Sequence, residues 1–177
     1  MVSASYNQPM LLDDEPRMES LMRLALEEAS QAEAAGEVPV GAIVVSPEGE
    51  VLGRGNNQVI RLSDPTAHAE IVAMRQAAAT LGNYRLTGCT LVCTLEPCAM
   101  CAGAMVHARL GRLLYAATDP KAGADGSALQ VLNHNALNHR VEVMRGVLAE
   151  ECSARLSNFF RSRRAEAKNA EAVAKNA

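Results

Sequence analysis

The stretch Leu95-Glu96-Pro97-Cys98-Ala99-Met100-Cys101-Ala102-Gly103-Ala104-Met105, LEPCAMCAGAM, holds a change of secondary structure and a close pair of thiols. Thr90–Leu95 is a short apolar run rich in β-branched residues, which reads as a buried strand. Pro97 has a fixed φ and no N–H to leave unpaired, so it suits the opening of a helix, and the small apolar residues behind it carry that helix to about Ala108. A strand running straight into a helix is the building unit of α/β folds. Cys98 and Cys101 fall in the first turn of that helix. Read alone, the pair is open to three uses: metal ligands, a redox-active dithiol, or core packing.

Outward from this stretch the same alternation continues. Upstream, Leu21, Leu24, Ala25, Ala29 and Ala32 recur at helical spacing between Met18 and Ala35, and Gly36 ends the run. Val40–Val45 and Val51–Gly55, joined by the turn Pro47-Glu48-Gly49-Glu50, read as a β-hairpin. Asp64 as cap and Pro65 at the first helical position predict a helix over 65–81, stopped near Gly82-Asn83. Downstream come a strand at Leu113–Thr118, a loop rich in Gly, Ala and Asp through Ser127, and a short helix near Leu129–Leu132. A strand at Val141–Val147 and a helix over 149–164 complete the pattern. This order predicts a three-layer α/β/α domain around one central mixed sheet, mostly five-stranded, with parallel strands in its second half. The division is a flexible extension over 1–17, the domain over 18–164, and a low-complexity Ala/Glu/Lys/Asn tail over 165–177, disordered or an isolated helix.

The length of 177 residues accommodates one domain with a full core. An apolar content of 49% and a charged content of 21% are ordinary for a globular protein, and no apolar run reaches the roughly 18 residues of a membrane helix. The N-terminal segment lacks a basic region, a long apolar stretch and a cleavage site, which predicts a cytoplasmic protein without a membrane partner. Five cysteines, an odd number without an export signal, argue against a disulfide framework and toward metal or redox use of the close pair. The net charge of −3 argues against a general nucleic-acid binder. It is unevenly spread, however: residues 1–20 carry −3 and residues 161–177 carry +3. That basic end is suited to phosphates or to plain solvation.

The thiols need partners, and Thr66-Ala67-His68-Ala69-Glu70 offers one at the matching place, the first turn of an earlier helix. Adjacent strands feeding the two helices would bring both N-termini to one edge of the sheet, where one imidazole and two thiolates meet. Zinc fits that set, and three protein ligands leave a fourth position open for water, as in catalytic sites. Helix N-termini favour negative charge and help to hold the sulfurs ionised. Glu70, two residues past His68, is too close to be a fourth ligand on the same helix and reads as a proton carrier. A structural zinc would need Cys89 or Cys93 as its fourth ligand, at awkward spacing, while Cys93 and Cys152 read as packing. His68-Ala69-Glu70 followed by Pro97-Cys98-Ala99-Met100-Cys101 matches the signature H-x-E…P-C-x-x-C of zinc nucleobase deaminases.

The likeness extends over residues 18–164. Glu37–Ala42, Asp64–Ile71, Asn83–Leu86, Leu95–Ala104, Asp119–Ser127 and Leu156–Arg164 (LSNFFRSRR) together resemble the bacterial tRNA-specific adenosine deaminase family, of the cytidine-deaminase-like fold. That resemblance implies deamination of the wobble adenosine of a tRNA anticodon loop, usually in arginine tRNA, by a homodimer with one Zn2+ per subunit. It assigns the metal to His68, Cys98 and Cys101. Glu70 becomes the acid–base residue, taking a proton from the zinc water, passing it to N1 of the adenine and protonating the departing amine. It also implies base or RNA contacts for Asn57, Val40, Ala67 and Asp119, and for Phe159, Phe160, Arg161, Arg163 and Arg164 on the last helix. Thr118 departs from relatives that carry a positive residue there. A free-base or nucleoside deaminase with the same zinc chemistry is the alternative. A non-catalytic zinc subunit is disfavoured by the presence of Glu70.

Overall fold

The computed structural model describes residues 14–175, and within them the apolar runs form five strands and five helices. In chain order these are α1 (Glu15–Ala34), β1 (Gly41–Val45), β2 (Val51–Asn56), α2 (Val59–Leu62), α3 (Ala69–Leu81), β3 (Thr90–Leu95), α4 (Ala99–His107), β4 (Arg112–Ala117), β5 (Glu142–Arg145) and α5 (Ala149–Lys175). The strands make one mixed sheet in the order β2-β1-β3-β4-β5. β1 is antiparallel to both of its neighbours, and β3, β4 and β5 run parallel, as the strand–helix alternation predicts.

Side chains alternate across the sheet and sort the core into two halves. Ala42, Val44, Leu91, Cys93, Leu113 and Tyr115 pack with residues of α3 and α4, among them Ala73, Met74 and Met105. Ile43, Val45, Val92, Leu114 and Ala116 pack with Leu21, Met22, Ala25 and Leu26 of α1 and Cys152 of α5. The three-layer α/β/α arrangement follows. α3 lies unusually close to the sheet because β2 carries Gly53 and Gly55 beneath it. A Cβ at these positions would be driven into the backbone of Ala73 and Ala69 respectively. α5 is tied to α1 by Arg155, whose guanidinium meets the Glu33 carboxylate at 3.1 Å.

Several boundaries differ from the sequence reading. α3 begins at Ala69 and not at Pro65, because the Asp64 carboxylate accepts from the Thr66 N–H (2.8 Å) and hydroxyl (2.7 Å) and closes a turn of its own. α4 likewise begins at Ala99, with Pro97 ahead of the cap. Residues 129–132 form no helix. There the Gly126 N–H donates to the Leu129 carbonyl and the Val131 N–H to the Ala124 carbonyl, folding the segment back on itself. The last strand stops at Arg145, where Gly146 turns with φ +96°. The last helix does not stop at Arg164 but continues unbroken to Lys175. Residues 1–13 of the expected extension lie outside the described residues, and Glu15 already belongs to α1. No helix among the described residues is long and apolar enough to cross a membrane.

Candidate active site

β2 and β3 are separated by β1 and point the same way, since each is antiparallel to it. The helices that follow them therefore start at one edge of the sheet. The strands are not adjacent, as the sequence reading supposed, yet the N-termini of α3 and α4 still converge. His68 and Cys98 occupy the cap positions of the two helices, each with extended backbone (φ −71°, ψ 152° and φ −73°, ψ 172°), and Cys101 lies in the first turn of α4. Asn57, just past β2, fixes one end of this arrangement by accepting the Ala69 N–H on its Oδ1 at 3.0 Å. It thereby satisfies an N–H that the helix itself cannot pair.

The three ligand atoms form a nearly equilateral triangle. His68 Nδ1 stands 3.6 Å from each sulfur, and the sulfurs stand 3.7 Å apart. A tetrahedral zinc bound at about 2.3 Å to sulfur and about 2.1 Å to nitrogen requires edges of about 3.8 Å between sulfurs and about 3.6 Å from sulfur to nitrogen. The donor set and its spacing therefore fit such an ion, with the fourth vertex unfilled by protein. This trio is the one metal-competent group of His, Cys, Asp and Glu side chains among the described residues. The two thiols push each other in opposite directions: the Cys101 thiol beside Cys98 lowers the latter to about 3, aided by His68, and Cys101 is itself pushed up by Cys98 and by burial. The hydrogen bond with Cys98 raises His68.

Glu70 lies in the first turn of α3 and is 4% exposed. Burial pushes its carboxyl up, partly offset by a backbone hydrogen bond and by His68. A carboxyl raised in this way and lining the same cavity as the ligand triangle has the character of a proton-transfer group. Cys93 stays outside the triangle, buried, with its Sγ directed at the Leu95 carbonyl at 3.1 Å, and Cys89 and Cys152 are buried elsewhere. The packing reading of Cys93 and Cys152 agrees with these positions.

A cavity of about 830 Å³ opens over this corner. Val40, Asn57, His68, Glu70, Cys98 and Asp119 line it from the sheet side, and Phe160, Arg161 and Arg164 of α5 line it from the other. Ala67, Phe159 and Arg163 are not in its wall. Ala67 is fully buried, with its carbonyl taken by the Gln58 N–H at 3.0 Å. Phe159 packs edge-on against Phe160 (centroids 5.5 Å apart), and Arg163 turns away to Glu166 at 3.3 Å. His139 makes a structural hydrogen bond, its Nε2 lying 2.7 Å from the Leu110 carbonyl.

The residue that sequence reasoning passed over is Glu96. It is 2% exposed, and its carboxylate accepts the N–H groups of Asp119 (3.0 Å), Asp125 (3.0 Å) and Ser127 (3.3 Å) together with the Ser127 hydroxyl. Burial works against its charge, but these donors outweigh it and hold the carboxyl below the usual range. Gly123 packs so tightly on this carboxyl that a Cβ would collide with it. Glu96 thus ties the loop 119–127 to the strand that delivers Cys98, and with it the cavity wall at Asp119. The available signal was an acid set between Leu95 and Pro97, at the end of a buried strand that carries no charge of its own.

This fold and this corner define a deaminase: the chain belongs to the MafB19-like deaminase family, whose profile matches residues 17–164. Its curated relatives and solved neighbours narrow the class. It is 52% identical over 158 residues to the tRNA-specific adenosine deaminase of Haemophilus influenzae, covering 89% of this chain and 91% of that one. A solved tRNA:A34 deaminase, studied for A-to-I editing at the wobble position of transfer RNA, superimposes with a TM-score of 0.74 at 43% identity, covering 77% of this chain and 98% of its own. The guanine deaminase of Nitrosomonas europaea superimposes with a TM-score of 0.71 at 29% identity, covering 86% of this chain and 88% of its own. The chain is accordingly a deaminase enzyme of the tRNA-specific adenosine deaminase group.

Proposed function

We propose that the protein hydrolyses adenosine to inosine at the wobble position of a tRNA anticodon loop, with arginine tRNA as its first candidate substrate. In this reading it acts in the cytoplasm as a homodimer with one zinc per subunit. The observation that carries the reading is the ligand triangle with Glu70 beside it, on the floor of a cavity whose far wall carries Arg161 and Arg164. Zinc held by His68, Cys98 and Cys101 would lower the pKa of a water toward neutrality and supply positive charge where oxygen attacks.

The chain's own residues do the rest. Glu70 takes the proton of the attacking water and delivers it to N1 of the adenine. Once the bond from oxygen to C6 has formed, Glu70 takes the remaining proton of that oxygen and passes it to the exocyclic nitrogen. The bond from C6 to nitrogen then breaks, the oxygen stays as the C6 carbonyl and the nitrogen leaves as ammonia. Asn57 spends its carbonyl on α3 and keeps its NH₂ for an acceptor on the base. Val40, 5% exposed in the cavity wall, offers an apolar surface to the ring. Arg161 and Arg164 meet phosphates flanking the extruded nucleotide.

The test is inosine formation on an anticodon stem-loop with adenosine at the wobble position, run beside free adenine, guanine and cytidine. Turnover of the stem-loop alone is expected. A chelator should abolish it and added zinc should restore it. The likeness to the guanine deaminase favours a second reading, which release of ammonia from guanine with an untouched stem-loop would establish instead.

A further inference from the structure

α5 does two different things along its length. Its first half packs on the sheet through Cys152 and lines the cavity through Ser153, Leu156, Ser157, Phe160, Arg161 and Arg164. Its last part, residues 165–175, touches no core and is exposed at every position. That part also lies beyond the segment matched by the family profile, which ends at residue 164.

Its charges are not scattered. Successive residues of an α-helix are turned by about 100°, which places Arg161, Arg164, Lys168 and Lys175 within an arc of about 60°. The same side of the helix carries Ser153, Ser157 and Phe160 into the cavity wall. A row of cations therefore leaves the cavity rim and follows the helix outward for about 21 Å from Arg161 to Lys175 at 1.5 Å per residue. Between Arg161 and Lys175, Glu171 is the one acid on this side. On the opposite side Arg163 is neutralised by Glu166, whereas Arg164, Lys168 and Lys175 have no acidic or hydrogen-bonding partner among the described residues.

We infer that the exposed end of α5 is an RNA-backbone arm, whose Lys168 and Lys175 bind phosphates of the helical stem adjoining the loop that enters the cavity. The inference rests on the RNA-editing reading above. Its physical basis is continuity: the polyanion that threads past Arg161 and Arg164 must leave the cavity, and the only charge-complementary track on this helix leads along Lys168 and Lys175. The contacts are to backbone and carry no sequence information.

Binding of the Lys168→Ala/Lys175→Ala double variant tests the arm, because alanine keeps the helix propensity while removing both charges. The probes are an anticodon stem-loop RNA and the loop sequence alone as a short single strand. On the stem-loop, affinity is expected to fall roughly tenfold at moderate salt, with a log–log salt slope shallower by about 1.4–1.8 for two lost phosphate contacts. Affinity for the short single strand should not change, and Lys168→Arg/Lys175→Arg should retain full stem-loop binding. Unchanged stem-loop affinity in the alanine variant, or an equal loss on both probes, overturns the arm while leaving the editing reading intact. An unaltered protein that neither binds nor deaminates the stem-loop overturns both.

Discussion

Glu70→Gln should retain a full complement of metal and lose two to four orders of magnitude in turnover, the range by which a positioned acid–base group accelerates proton transfer. Glutamine preserves the size of the side chain and removes only the proton-carrying function. The three ligand atoms belong to other residues, so the triangle at 3.6, 3.6 and 3.7 Å has no reason to change. Neutralising a buried acid also removes a desolvation burden, so the thermal midpoint should hold or rise. Metal analysis, a melt and single-turnover kinetics on the same preparation check all three statements. Substantial residual turnover would remove Glu70 from proton transfer, and lost metal would show that it supports the ligands instead.

Glu96→Ala should be costly for a different reason. Removing a buried carboxylate strands the N–H groups of Asp119, Asp125 and Ser127, each with a desolvation cost of about 1–3 kcal/mol unless water enters. A total loss of about 3–5 kcal/mol corresponds to a drop of roughly 6–20 °C in thermal midpoint for a chain of this size. In the protein that remains folded, the loop 119–127 loses its tie to Glu96 but keeps the bond from the Ala124 N–H to the Pro97 carbonyl (2.8 Å) beside Cys98. KM for RNA should then rise more than kcat falls, since Asp119 stands on the loosened loop whereas His68 and Glu70 stand at the start of α3. Glu96→Gln, which keeps an acceptor, should recover part of the stability. A melt of Glu96→Ala superimposable on that of the unaltered protein would show that the carboxylate does not organise this loop.

The contrast between these two acids shows what was legible in the sequence. The grouping of His68, Cys98 and Cys101, with Glu70 lining the same cavity, is readable because H-x-E and C-x-x-C are short spacings within single turns, and such spacings survive on the page. The layer order is readable for a similar reason: apolar periods of two and of 3.6 alternate cleanly along the chain. Glu96 was not readable, because its partners stand 23 to 31 positions away and three of them are backbone N–H groups that any residue would supply. The start of α3 was misplaced because Asp64-Pro65-Thr66 satisfies the rules for a helix cap and for an isolated Asx turn equally well. Residues 129–132 were misjudged because their hydrogen bonds close onto Ala124 and Gly126, a local fold-back that leaves no periodicity to detect. The separation of β2 from β3 by a strand depends on sheet order, which no local pattern encodes.

One consequence of that interposed strand concerns unfolding. His68 and Cys98 are 30 positions apart, and they begin the helices that follow β2, in the antiparallel half of the sheet, and β3, where its parallel half starts. An ion gripped by both is a removable crosslink across the seam of the domain. An unfolded chain has no preformed triangle to grip it, so free ion at 100 times its dissociation constant stabilises the folded state by about 2.7 kcal/mol. The corner that would do the chemistry would then also serve as a clasp, and resistance to heat would track the supply of the metal.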